Sequence, residues 1–391
     1  MNKFLDKLPK PSLIKLYRSK LSKLYNELEH SLESWTRRDI LMNSSRLEYN
    51  RDITLLNIDE FSYIPNAITD ILKSIGTYHK KFTLEINNRH YEIIFILPCL
   101  ETDISLKQAN LFFNKCLKKM FLWLTIVQEH IRKRCSDSLT IHIIFTNHKK
   151  KLGEKNIILT PTNVNTAFTT SCKKNTNICI YRKEEWFKVF VHETFHCLGL
   201  DFSDVDNTLS ETLITDAFKV YNKKGIRVYE AYCELWAELL NTIIYAFLKS
   251  KTKEDFYTLF EKQINLELSF SLFQSTKVLN YHNLTYDSVL NSDCKTVLFK
   301  EDTHILSYYI LKTILLFHLR DFEKWCEKNN VTMFQFNSNE SNIKSFVELI
   351  ITLSKKKSIK DIMKKYKNYI ETLQIPLDIR ETMRMTITEI Y

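Results

Sequence analysis

His192 and His196 stand four residues apart in the stretch WFKVFVHETFHCLGL, residues 186–200, and Glu193 directly follows the first of them. On an α-helix, residues four apart share a face, so both imidazoles can turn toward one Zn2+ at about 2.0–2.1 Å from each nitrogen. Glu193, one step around the helix, is then beside the metal's open position, where it can take a proton from water. HExxH spacing supplies two ligands and a general base for metal-assisted hydrolysis.

A third ligand has to come from elsewhere. The HExxHxxGxxH pattern is absent, because position 202 is Phe, and no Met follows until Met333. Asp201 and Asp204 lie so near the helix end that orienting an imidazole suits them at least as well as ligation. The segment RVYEAYCELWAELLN, 227–241, carries Glu230, Glu234 and Glu238 at four-residue steps among apolar and aromatic neighbours. Carboxylates buried there without a cation are costly, so at least one is expected to meet the metal or an imidazole. Glu234 is the first choice, being mid-helix where the backbone is best fixed, and Glu238 then orients a histidine. In the alternative register Glu230 is the ligand and Glu234 takes the outer place.

With these residues in view, IYRKEEWFKVFVHETFHCLGLDFS (180–203) followed by YCELWAELLN (232–241) resembles the zincin superfamily. The likeness is to a gluzincin-type zinc metallopeptidase, and in particular to metallopeptidase-like proteins of large nucleocytoplasmic DNA viruses. It is specific over residues 163–247, vaguer at THILSYYILK (303–312), and leaves both ends of the chain unexplained. The resemblance implies a zincin core, with an edge strand at Ile178–Tyr181 beside the metal that pairs with an extended peptide. It also implies a Tyr or His stabilising the tetrahedral intermediate, for which His304, Tyr308 and Tyr309 are the candidates, with Tyr232 behind them.

The elements that must hold these residues can be read from periodicity. Apolar residues at three- and four-residue steps predict an amphipathic helix over 12–38. The run KFTLEINNRHYEIIFILP predicts a β-hairpin turning at Asn87-Asn88. A helix over 104–134, a strand at 139–146, a polar turn-like stretch at 147–176 and a strand at 177–182 follow. The motif helix is expected at 183–198, ended by Gly199 in a left-handed conformation. A loop at 200–225 leads to a helix over 227–249, and the rest of the chain reads as helical and free of strands. The expectation is an α+β fold, mostly α: a small mixed or antiparallel sheet packed on the HExxH helix. The segments are a helical region at 1–75, a zincin-like catalytic core at 76–250 and a helical subdomain at 251–391.

Composition narrows the function. Hydrophobic residues at 44% and charged residues at 26% suit a globular chain. With 4 Gly and 6 Pro in 391 residues, glycine-rich phosphate loops have almost nothing to be built from. The net charge of +10 comes without a basic block interleaved with aromatics, so nucleic acid is not the favoured partner. No apolar run is long enough to span a bilayer. Nine cysteines without CxxC spacing, Cys172 and Cys179 included, suit free thiols, and with no apolar leader visible an intracellular site is expected, in host cytoplasm or a virion if viral. Two functions of different class follow: zinc-dependent hydrolysis of a protein or peptide substrate, or a catalytically inactive interaction or virion protein that keeps the metal site.

Overall fold

The computed structural model describes residues 2–5, 7–37, 42–50, 63–98, 105–154, 157–290, 299–372 and 374–389. They form two compact units, one drawn from residues 22–149, 166–200 and 389–391, the other from 1–21, 150–165 and 201–388.

The first unit is built on a seven-stranded mixed sheet. Its strands are β1 (Met42–Ser44), β2 (Glu48–Asn50), β3 (Thr77–Ile86), β4 (Arg89–Pro98), β5 (Ser138–Ile144), β6 (Ala167–Thr169) and β7 (Asn175–Ile180). Their order is β1-β3-β4-β5-β7-β6, with β2 also paired to β3. Asn87 and Asn88 both take positive φ, 48° and 62°, and close the β3–β4 hairpin. β4, β5 and β7 run parallel, so a crossover must join β4 to β5. The crossover is the helix Leu106–Val127, opened by a capping box between Ser105 and Gln108. Side chains alternate across the sheet: Ile94, Ile96, Ile144 and Cys179 pack with Ile64 and with Ile68 and Leu72 of the helix Asn66–Ser74. Phe95 points the other way and stacks on Phe113 of the crossover helix at 5.3 Å, while Phe145 meets Trp186 at 5.6 Å. That face carries the motif helix Trp186–Cys197.

Three strands fall outside the sequence pattern. β1, β2 and β6 are three residues each, too short for alternation to register. β6 changes one expectation: Ile178–Tyr181 is not an edge. β7 lies between β5 and β6, with Ile178 paired to Ile141 on one side and Thr169 on the other. The terminal strand at this end, among the described residues, is β6.

The second unit is chiefly helical. Its acidic helix Tyr229–Lys249 packs along the long helix Lys253–Tyr281 and against a π-helical turn, Leu306–Leu311. The stretch expected as a loop holds a helix, Thr208–Ala217, and a strand, β8 (Val220–Asn222). β8 pairs in parallel with β9 (Phe299–Glu301), so the chain beyond 250 is not free of strands. The amphipathic helix begins at Arg18 instead of Ser12 and runs to Arg37; Arg38 lies outside the described residues. The preceding backbone is engaged elsewhere: Ile14 N–H donates to Asn265 Oδ1 at 2.9 Å, and Tyr17 N–H to Glu323 Oε1 at 3.1 Å. Near the other end, the buried Glu267 carboxylate accepts from Thr386 Oγ1 at 2.7 Å and from the N–H groups of Ile387 and Thr388. No described helix is long and apolar enough to cross a membrane.

Candidate metal centre

The motif helix is held on several sides within its unit. At its start Glu185 adopts a left-handed φ of 60°, uncommon for a residue with a Cβ, and its N–H donates to Glu389 Oε1 at 3.2 Å. Midway, Trp123 of the crossover helix donates its indole N–H to Thr194 Oγ1 at 2.8 Å and stacks on Phe195. At its end Leu200 N–H returns to Phe195 O at 2.9 Å and Gly199 N–H to His196 O at 3.3 Å, the two bonds of a Schellman motif. Gly199 takes φ +68° and a Cβ there would lie 2.6 Å from Cys135 Sγ, so glycine is required twice over.

On this helix His192 and His196 bring their Nε2 atoms to 3.1 Å, with the rings edge to face. Both are buried, as is Glu193. Tyr181, just past β7, is buried too; burial pushes its phenol well above the ordinary range, and the Glu193 carboxylate adds to that rise. Sequence reading placed Tyr181 only in a strand, and the influence of Glu193 on its phenol had no signal there.

The acidic helix divides its three glutamates. Glu238 is fully buried and its carboxylate meets Lys312 Nζ at 2.5 Å, with Ser271 Oγ donating to the other oxygen at 3.3 Å. Its expected place beside a histidine is thus taken up by an ion pair. Glu230 and Glu234 are also buried. His192 and His196 in the first unit, and Asp201, Glu230 and Cys233 in the second, are all buried side chains of the types that ligate metal ions. These buried groups could hold a metal ion. Asp201 accepts from Ser203 Oγ at 3.0 Å and from the Cys233 thiol at 3.4 Å, so its carboxylate is already oriented.

Of the four candidate donors to a developing oxyanion, two hydroxyls are committed to backbone carbonyls: Tyr232 to Phe334 O at 2.9 Å and Tyr309 to Met383 O at 2.6 Å. Tyr308 is in the π-helical turn, with its ring 6.1 Å from that of His304. Ser307 Oγ donates to Arg227 O at 2.8 Å, fixing this turn to the start of the acidic helix, three residues before Glu230. π-Helical turns recur at functional sites.

Cys135 and Cys172, with Cα atoms 4.8 Å apart, form a disulfide, which corrects the expectation of a free thiol at Cys172. The turn at 131–137 and the loop at 170–175 both end at the last turn of the motif helix, and this brings cysteines 37 residues apart together. Cys179 is free and buried in the sheet. The chain matches no family model, no curated protein and no solved structure.

Proposed function

We propose that the chain is a zinc-dependent peptide hydrolase of gluzincin type. The observation that carries this reading is the convergence of the two imidazole Nε2 atoms at 3.1 Å. Two Zn–N bonds of about 2.1 Å at a tetrahedral angle separate their nitrogens by about 3.4 Å. Two imidazoles with a glutamate carboxylate are a donor set of the kind zinc takes at catalytic sites. When bound, zinc supplies Lewis acidity toward a water and a peptide carbonyl. His192 and His196 would hold it through Nε2, with a carboxylate of the acidic helix, Glu234 or in the other register Glu230, as the third ligand. In the Glu230 register, Glu234, one turn along the acidic helix, would take the outer role of orienting an imidazole. Glu193 accepts the proton of the attacking water and passes it to the leaving amine nitrogen. Tyr308 and His304 serve as donors to the carbonyl oxygen as it gains charge.

Zinc content and peptide cleavage test this on purified wild type, His196→Ala and Glu193→Gln. Wild type should hold one zinc and cleave peptides from a proteome-derived library. His196→Ala should lose the metal, whereas Glu193→Gln should keep it and lose about 10²–10⁴ in rate. A neutral His–His hydrogen bond has a similar length, so equal zinc in wild type and His196→Ala would sink the metal reading. Zinc held without any cleavage would leave an interaction protein that retains the site.

A further inference from the structure

Three backbone carbonyls at the end of the motif helix, those of His196, Cys197 and Leu198, accept bonds from outside the helix, His196 O in addition to the Gly199 N–H of its cap. They are met from two separate chain segments. From the 131–137 turn, Arg132 N–H donates to Leu198 O at 3.1 Å and Ser136 Oγ to Cys197 O at 2.8 Å. From the 170–175 loop, Cys172 N–H donates to His196 O at 3.1 Å. The Cys135–Cys172 disulfide joins these two segments, and its Cys135 sulfur fills the space that a side chain on Gly199 would need. We propose that this disulfide is a redox-operated clamp on the metal-binding helix: closed, it fixes His196, and opened by a dithiol, it releases the last turn and weakens metal binding. The proposal rests on the zinc reading for its functional half.

The reduction is chemically open from one side. Cys135 is fully buried, whereas Cys172 is half-buried between exposed Ser171 and Lys173. A thiolate of the dithiol attacks the Cys172 sulfur, forms a mixed disulfide and expels Cys135 as thiolate, which takes up a proton. The second thiol then displaces Cys172 and closes the reagent's own disulfide. Two electrons and two protons have passed to the protein. Lys133, Arg134, Lys173 and Lys174 flank the two cysteines in sequence, and cationic surroundings favour both the approaching and the leaving thiolate.

The test compares the oxidised full-length chain with the chain reduced by tris(2-carboxyethyl)phosphine and then freed of reagent. Thiol titration should find two more thiols after reduction; no increase would remove the disulfide and the proposal with it. Hydrogen exchange on zinc-free protein should quicken at the amides of Cys172, Gly199 and Leu200 on reduction. Zinc affinity, read by competition with a chromophoric chelator, should fall by about tenfold or more. The Cys135→Ser/Cys172→Ser variant should match the reduced protein and ignore the reductant. Unchanged exchange overturns the clamp whatever the zinc result, and faster exchange with unchanged zinc affinity overturns its link to His196. Faster exchange in a protein that binds zinc in neither form upholds the clamp and defeats the zinc reading alone.

Discussion

Lys312 and Glu238 show how a residue's meaning depends on a partner far along the chain. In sequence, Lys312 is an interruption in an apolar run and Glu238 the last member of an acidic series. In the structure they are a buried ion pair, with Lys312 Nζ also donating to Ser271 Oγ at 2.7 Å. Removing one partner leaves a buried charge uncompensated, so Lys312→Met should cost about 3–5 kcal/mol in denaturant unfolding, and Lys312→Met/Glu238→Leu should recover most of it. A double variant as unstable as the single would argue against the pair. HExxH was legible because its two histidines and glutamate need only one helix to bring them together. The fate of the acidic series was not, because Glu238 and Lys312 are 74 residues apart and periodicity carries no information on such a pairing.

At the scale of elements, the hairpin, β5, β7 and the motif helix were legible, since each carries a sustained period or a turn signal. The three-residue strands were not, and the edge of the sheet was misplaced by one of them, β6. Gly199 was readable as a helix terminator, and its substitution tests that role. Gly199→Ala combines a left-handed backbone with contact at Cys135 Sγ and should lower stability by about 1–3 kcal/mol, read as a fall in Tm. An unchanged Tm would show that the helix end adjusts freely. The β8–β9 corner offers a pH test. Glu301 accepts from Leu306 N–H at 2.7 Å and from Asn222 Nδ2 at 3.1 Å, and burial pushes its carboxyl up to about 8. The folded chain keeps this proton up to about pH 8 while the unfolded chain gives it up near 4.5. Its contribution is therefore full below about pH 4.5 and is lost as pH rises toward 8. Glu301→Gln should shrink the difference in stability between pH 5 and pH 8, and an unaltered difference would place the titration elsewhere.

For the molecule as a whole, neither unit is a continuous stretch of chain. Residues 150–165 belong with 201–388, although 22–149 and 166–200 on either side of them build the sheet. Composition changes along the sequence cannot reveal such interleaving, because the excursion is short and its residues are ordinary. A fragment of residues 22–200 contains nearly all of the sheet unit, including both members of the disulfide. It should unfold cooperatively with heat, whereas a fragment of 201–388 lacks Phe4, Leu5 and Leu8 of its own core and should not. Cooperative melting of the second fragment alone would contradict this. The extended N-terminal segment sets a clock on synthesis. Ile14 is bonded to Asn265, 251 residues later, and Pro9 O accepts from the Tyr366 hydroxyl, 357 residues later. At about 5–20 residues per second, the segment around Ile14 waits roughly ten to fifty seconds after it is made before Asn265 exists. The apolar side chains of this segment thus stay without their final partners for that whole interval, open to chaperones and proteases.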